Sequence, residues 1–249
     1  MPSALPTYVQ GLDDALGGGI PRKHTVLVLG GPGTMKTALT YSILCNNERR
    51  GIRSLYISLE ESMESIAESM AAMGLRSEPP GESRDPAILD VGRLRLEVEK
   101  AGSSGNWLVI LKELVREAVE GSQCELIALD SLEALYALVN PSKPREEVFQ
   151  LFGYFRDLGT TNLFISELPL SGPIPTNYGV EFLSDGILRL TRFEIHETDV
   201  QLRLQIVKMR KVNHETGVYS LHFEHGKFLL AKAIVEEEPR PWSQRPRDH

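Results

Sequence analysis

Hydrophobic positions along this chain follow two alternating patterns. Continuous apolar runs at Thr25–Leu29, Ile52–Leu59, Leu126–Leu129 and Leu163–Ser166 predict buried strands. Between them, apolar residues recur at helical spacing. Ala38 to Asn46 forms one such stretch, and Met63, Ile66, Ala67, Met70 and Met73, closed by Gly74, form a second. A third runs from Trp107 to Glu120 with Leu108, Leu111, Leu114, Val115 and Ala118 on one side. The fourth opens at Pro144 with Val148, Leu151, Phe152, Phe155 and Leu158. Gly11–Leu16 reads as a short helix stopped by Gly17-Gly18-Gly19 and Pro21, and Ala87–Val91 as a short strand.

After residue 167 the pattern changes. Gly186–Arg192 is strand-like, Val200, Leu202, Leu204 and Ile206 alternate with polar residues, and Val218–Phe223 and Lys227–Leu230 follow the turn at His214–Gly217. Strands separated by helices, then strands in succession, predict an α/β fold. Its central sheet is mostly parallel and flanked by helices, with antiparallel strands at the C-terminal side. The connections are expected at Arg76–Pro86, Ala101–Asn106, Tyr136–Glu147 and Leu168–Asp185. We expect one domain over residues 1–235. Residues 236–249, rich in proline and charge, are expected to be a disordered tail.

Composition narrows the function classes. Of 249 residues, 41% are hydrophobic, enough for a sizeable core, and no window approaches a membrane span or a secretory signal. Cys45 and Cys124 have no CxxC neighbour, which disfavours a metal site or disulfide framework and fits a reducing cytoplasm. The net charge of −7 argues against a broad nucleic-acid footprint.

The candidate chemistry centres on Leu27–Thr37, LVLGGPGTMKT: a strand, a glycine-rich turn, Lys-Thr and a helix. This is the P-loop arrangement, in which backbone N–H groups and a helix N-terminus surround phosphate oxygens. Gly31, Pro32, Gly33, Thr34, Met35, Lys36, Thr37 and Ala38 would form the cradle. Lys36 would reach the β/γ-phosphates and Thr37 would bind Mg²⁺. Met35 stands where the pattern has glycine. It either crowds the phosphates or points away on an ordinary helical backbone. The ends of parallel strands are where such folds bind ligands, and three further ends are polar: Glu60-Glu61, Asp130-Ser131 and Glu167. Asp130 reads as the Walker-B carboxylate sharing Mg²⁺ with Thr37. Glu60 or Glu61 could polarise the attacking water, one facing the site and the other facing away, and Glu167 could sense the γ-phosphate.

With GLDDALGGGIPRKHTVLVLGGPGTMKT, LYISLEES, LIALDSLEAL, YGVEFLSDGILRL and VKMRKVNHETGVYSLHF in view, residues 7 to 231 resemble the KaiC-like branch of the RecA-type P-loop ATPases. The resemblance implies a RecA-like fold, ATP and ADP as ligands, and Glu60 and Glu61 as activators of the hydrolytic water. It also implies that Lys208, Met209, Arg210 and His214 contact nucleotide in the adjacent subunit of a ring, usually of six, with a regulatory role and an unidentified protein partner. Val212 replaces the family's usual threonine. Pro175–Glu181 has no adjacent Ser-Thr pair, so an autokinase is not expected.

Two other readings stand beside this one. A recombinase-like DNA binder would want basic loops, yet Leu168–Asp185 contains no Lys or Arg, and Lys143 and Arg145 are balanced by Glu146 and Glu147. A nucleotide-sensing module with little turnover is motivated by Met35.

Overall fold

The computed structural model describes residues 4–76, 85–100, 106–139, 143–168, 179–196 and 199–232. The chain opens with β1 (Ala4–Leu5), α1 (Leu12–Ala15) and β2 (Ile20–Pro21), and β1 and β2 pair as a small antiparallel ribbon. The first core strand, β3 (Thr25–Gly30), leads into α2 (Lys36–Glu48), β4 (Ser54–Ser58) and α3 (Met63–Ala72). Next come β5 (Ala87–Asp90), α4 (Val91–Lys100), α5 (Trp107–Ser122) and β6 (Leu126–Asp130). Then follow α6 (Leu132–Val139), α7 (Pro144–Asp157), β7 (Thr161–Glu167) and α8 (Val180–Leu183). Last are β8 (Gly186–His196), β9 (Asp199–Met209), β10 (Val218–Glu224) and β11 (Lys227–Lys232).

Among the described residues, the large sheet has nine strands in the order β11-β10-β9-β8-β3-β7-β6-β4-β5. From β8 to β5 every pairing is parallel, and from β8 to β11 every pairing is antiparallel. This is the mixed sheet that the switch in pattern after residue 167 predicts. Every residue of β3 is buried, so the strand is covered on both faces. Alternate side chains feed two cores. Val26 and Val28 join α1 and α2 with Leu39, Tyr41 and Ile43 on one face. Leu27 and Leu29 join α5, α6 and α7 through Leu111, Leu135, Leu151, Phe152 and Phe155 on the other. The topology places the C-terminal ends of β3, β7, β6 and β4 side by side, which brings their polar termini together.

Two expectations need correction. Helix α4 was not anticipated, because Leu94, Leu96 and Val98 alternate like a strand and, among its described side chains, only Val91 is buried. The start signal lies in Asp90, whose carboxylate accepts from Arg93 N at 2.8 Å and from Met63 N at 3.0 Å, capping α4 and tying α3 to it. Tyr136–Val139, expected in a connection, belongs to α6, whose first turn is capped by Ser131 Oγ accepting from Ala134 N at 3.2 Å. The expected tail at 236–249, Pro175–Tyr178 and most of the Leu168–Asp185 connection lie outside the described residues.

Candidate functional site

The loop from Gly31 to Met35 leaves β3 and enters α2 at Lys36. Thr34 Oγ1 donates to Gly31 O at 2.8 Å and Lys36 Nζ donates to the same carbonyl at 3.0 Å, so the loop closes on itself around Gly31. Gly30 has no alternative residue. A Cβ there would lie 2.5 Å from Thr34 Oγ1 and 2.8 Å from Leu190 O, so a side chain would push the loop off β8.

Met35 packs its side chain into the α2-side core, as the second expectation had it pointing away, but not on an ordinary helical backbone. It is the N-cap of α2 with φ 64° and ψ 27°, the left-handed conformation that glycine favours, so its backbone is not ordinary helix. Its half-buried side chain packs against the apolar cluster on the α2 face of the sheet. The chain thus keeps the backbone geometry of a glycine position while using the side chain for packing.

Across the loop, β6 delivers Asp130. Its Oδ2 accepts from Thr37 Oγ1 at 2.8 Å and from Tyr56 OH at 2.5 Å. Burial pushes the Asp130 carboxyl above the ordinary Asp value, opposed by the hydroxyls of Tyr56 and Thr37 and by the charge of Lys36. A half-buried carboxylate beside a threonine hydroxyl is a pair of hard oxygen donors, and both residues fit Mg²⁺ by chemistry. The two glutamates take different partners, but both line the cavity at the P-loop, so neither faces away as expected. Glu60 Oε1 accepts from Ser131 Oγ at 3.3 Å, beside Asp130, whereas Glu61 Oε2 accepts from Ser65 Oγ at 3.0 Å on α3. Ser58 Oγ fixes the turn between them and β4 by donating to Glu61 O at 2.6 Å. Lys36, Thr37, Tyr56, Ser58, Glu60, Glu61, Asp130, Ser131 and Glu167 line a single cavity of about 100 Å³. Behind Glu167, burial raises the Glu133 carboxyl, which accepts from Ser166 Oγ at 2.7 Å.

The late run sits elsewhere. Lys208 and Arg210 do lean the same way, but what they meet is their own chain. Lys208 Nζ donates to Glu181 O at 3.0 Å and Ser184 O at 2.6 Å, and Arg210 reaches Asp185 Oδ1 at 3.2 Å and Phe182 O at 3.4 Å. Met209 is core, and a Cβ on Gly186 would sit 2.7 Å from its sulfur. His214 Nδ1 lies 3.1 Å from Glu215 O, in a segment that Glu215 N anchors to Ala15 O at 2.9 Å. Val212 fills apolar space against the Gly17 turn and the α2-side core. None of Lys208, Met209, Arg210 and His214 lines the P-loop cavity.

Sequence reasoning missed Tyr56 and Ser58, and it named Ser131 only as part of a polar strand end, with no role. A usable signal existed for Tyr56, since a phenol in the middle of a wholly buried strand must find a partner for its hydroxyl.

A P-loop on the central strand, an Asp-ended strand two places away and a parallel sheet completed by antiparallel strands define a RecA-type P-loop protein. Comparisons agree and carry the assignment further. The family described as "ATPase: KaiC" matches residues 5–228, and the chain belongs to this family. A UPF0273 protein of Thermotoga maritima is 30% identical over 217 residues, covering 84% of this chain and 88% of that protein. One from Aeropyrum pernix is 31% identical over 221 residues, covering 86% and 88%. The crystal structure of a KaiC-like protein from Pyrococcus horikoshii OT3 shares the fold, with a TM-score of 0.77 at 20% identity, covering 93% of this chain and all of that one. Among the described residues, no helix is long and apolar enough to cross a membrane.

Proposed function

We propose that this protein is a Mg²⁺-dependent ATP hydrolase that works as a ring oligomer in a regulatory role. The observation that carries the reading is the convergence of Lys36, Thr37, Glu60, Glu61 and Asp130 on one cavity at the end of the P-loop. Gly31–Ala38 would cradle the phosphates of ATP or ADP, with Lys36 neutralising their charge. Thr37 and Asp130 would hold Mg²⁺, which when bound neutralises charge developing on the transferred phosphoryl group.

Glu60 or Glu61 is the base. Both line the cavity; Ser131 holds the Glu60 carboxylate, Ser65 holds that of Glu61, and the Glu61 charge is felt at Asp130. Packing of the Met35 side chain into the core supports turnover over a sensing module, because a side chain so placed does not crowd the phosphates. The ring is supported by the family and by Phe182, 70% exposed, beside the Arg210 contact.

The test is ATP turnover by the purified protein with and without Mg²⁺. Lys36→Ala should weaken ATP binding by roughly 1.5–3 kcal/mol, the worth of a charge-assisted contact. Glu60→Gln and Glu61→Gln should each keep near-normal ATP affinity, and at least one of them should lose most turnover. Full turnover in the Glu60→Gln, Glu61→Gln double variant would move the base elsewhere, and equal ATP affinity in Lys36→Ala would remove the site assignment.

A further inference from the structure

We propose that Tyr56 is a positioning residue for the cation site, holding the Asp130 carboxylate in the orientation in which it meets Mg²⁺. This rests on the reading of Thr37 and Asp130 as the Mg²⁺ residues. Strand β4 pairs with β6 in parallel register, with Tyr56 opposite Ala128 and Ser58 opposite Asp130. Residues in register on neighbouring strands share a face, so Tyr56, Ala128 and Asp130 all point toward α2, where Thr37 stands. Tyr56 starts two residues behind Asp130, about 6.6 Å along the strand at 3.3 Å per residue. A phenol spans that distance and a shorter side chain does not. Its hydroxyl arrives 2.5 Å from Oδ2, the same oxygen that accepts from Thr37 at 2.8 Å. Two donors on one oxygen hold that oxygen in place.

The ring is itself held. Tyr56 is fully buried and meets Tyr41 of α2 edge-on, with centroids 5.6 Å apart at 64°. A phenylalanine would fill the same space in this apolar strand. The hydroxyl is therefore what needs explaining, and its partner is Asp130. Burial first, and then the neighbouring Asp130 charge, drive the phenol well above its ordinary value, so it stays a donor. Mechanically, β4 ties the α2 helix to the carboxylate at the head of β6 through a single rigid ring.

The experiment is Mn²⁺ titration followed by electron paramagnetic resonance, on the full chain saturated with a non-hydrolysable ATP analogue. Tyr56→Phe keeps the ring and removes the hydroxyl. Its half-saturating Mn²⁺ concentration should rise roughly tenfold or more, the loss expected for one hydrogen bond to a charged group. Affinity for the analogue in the presence of a chelator should stay within about twofold, because the hydroxyl meets the side chains of Asp130 and Thr37 and not the backbone N–H groups of the loop. Adding Tyr56→Phe to Asp130→Asn should cost little further, since the two act through one contact. Wild-type Mn²⁺ affinity in Tyr56→Phe, or a full extra loss in the double variant, would reduce Tyr56 to packing and overturn the proposal. Where Tyr56→Phe does not fold, 3,5-difluorotyrosine at position 56, with its more acidic hydroxyl, should shift the Mn²⁺ midpoint, and an unchanged midpoint overturns the proposal equally. Failure of the wild-type protein to bind the analogue at all would instead bring down the ATPase reading, and this proposal with it.

Discussion

Met35 offers the sharpest check on the structural argument. A non-glycine residue in the left-handed region costs roughly 1–2 kcal/mol, and Met35 sits there at φ 64°. Against that, its side chain is half-buried against the α2-side core. Full burial of a methionine is worth roughly 1.5–3 kcal/mol, so half-burial contributes about 1 kcal/mol. Met35→Ala keeps the backbone penalty and loses the packing, so it should be destabilised by about 1 kcal/mol. Met35→Gly loses the same packing and sheds the penalty, so it should stay within about 1 kcal/mol of wild type. Glycine should then be the more stable of the two by about 1 kcal/mol, the reverse of a helix interior, where alanine wins by a similar amount. Urea denaturation of the three nucleotide-free proteins reads this directly. An alanine variant as stable as the glycine variant would refute the left-handed assignment. Calorimetry adds a second reading: Met35→Gly should bind ATP at least as tightly, since the backbone N–H stays in place. A clear loss of affinity in the folded glycine variant would mean that the methionine is fitted to the loop.

Two more predictions follow from the same geometry. Burial raises the Asp130 carboxyl, so the folded chain binds that proton more tightly than the unfolded chain does. The half-buried anion therefore costs stability above the folded pKa, and the cost disappears below the unfolded value of about 3.9. Metal-free Asp130→Asn should accordingly be more stable than wild type at neutral pH, with the gap closing as pH falls; equal thermal midpoints at neutral pH would contradict this. In a ring that shares sites, mixing Lys36→Ala protein with Arg210→Ala protein should recover part of the ATP turnover each lacks alone. A protein that stays monomeric in light scattering with ATP and Mg²⁺, at full turnover, would end the ring proposal.

Much of this architecture is legible because burial on both faces writes a plain signal. β3 and β6 read as apolar runs, and each ends where the polar chemistry begins, at Gly30 and Asp130. The helices α3, α5 and α7 carry one-sided stripes for the same reason. What the pattern hides is structure that is set by single polar contacts. Helix α4 hangs on Asp90, and the α6 start hangs on Ser131, neither of which changes an apolar period. Tyr56 is hidden differently: in a strand it counts as one more large apolar residue, and its function is visible only once β4 and β6 are in register.

The late run shows where periodicity stops informing. Spacing says correctly that Lys208 and Arg210 share a side, but it cannot say what they face, because Glu181–Asp185 carries no periodic signal linking it to β9. The contacts separate two cations that the sequence treats alike. Lys208 reaches two carbonyls at the end of α8, half-buried, and burial followed by the Arg210 charge lowers its pKa. That is a clamp holding α8 to β9, and moving Lys208 would strand those carbonyls. Arg210 makes longer bonds from an exposed side chain, with Asp185 as its main partner. Surface ion pairs of this kind are worth at most about 1 kcal/mol, so an incoming phosphate can displace Asp185 at little cost. In the proposed ring, Arg210 is therefore the one of the two able to reach a neighbour, while Lys208 sets the surface from which it would reach.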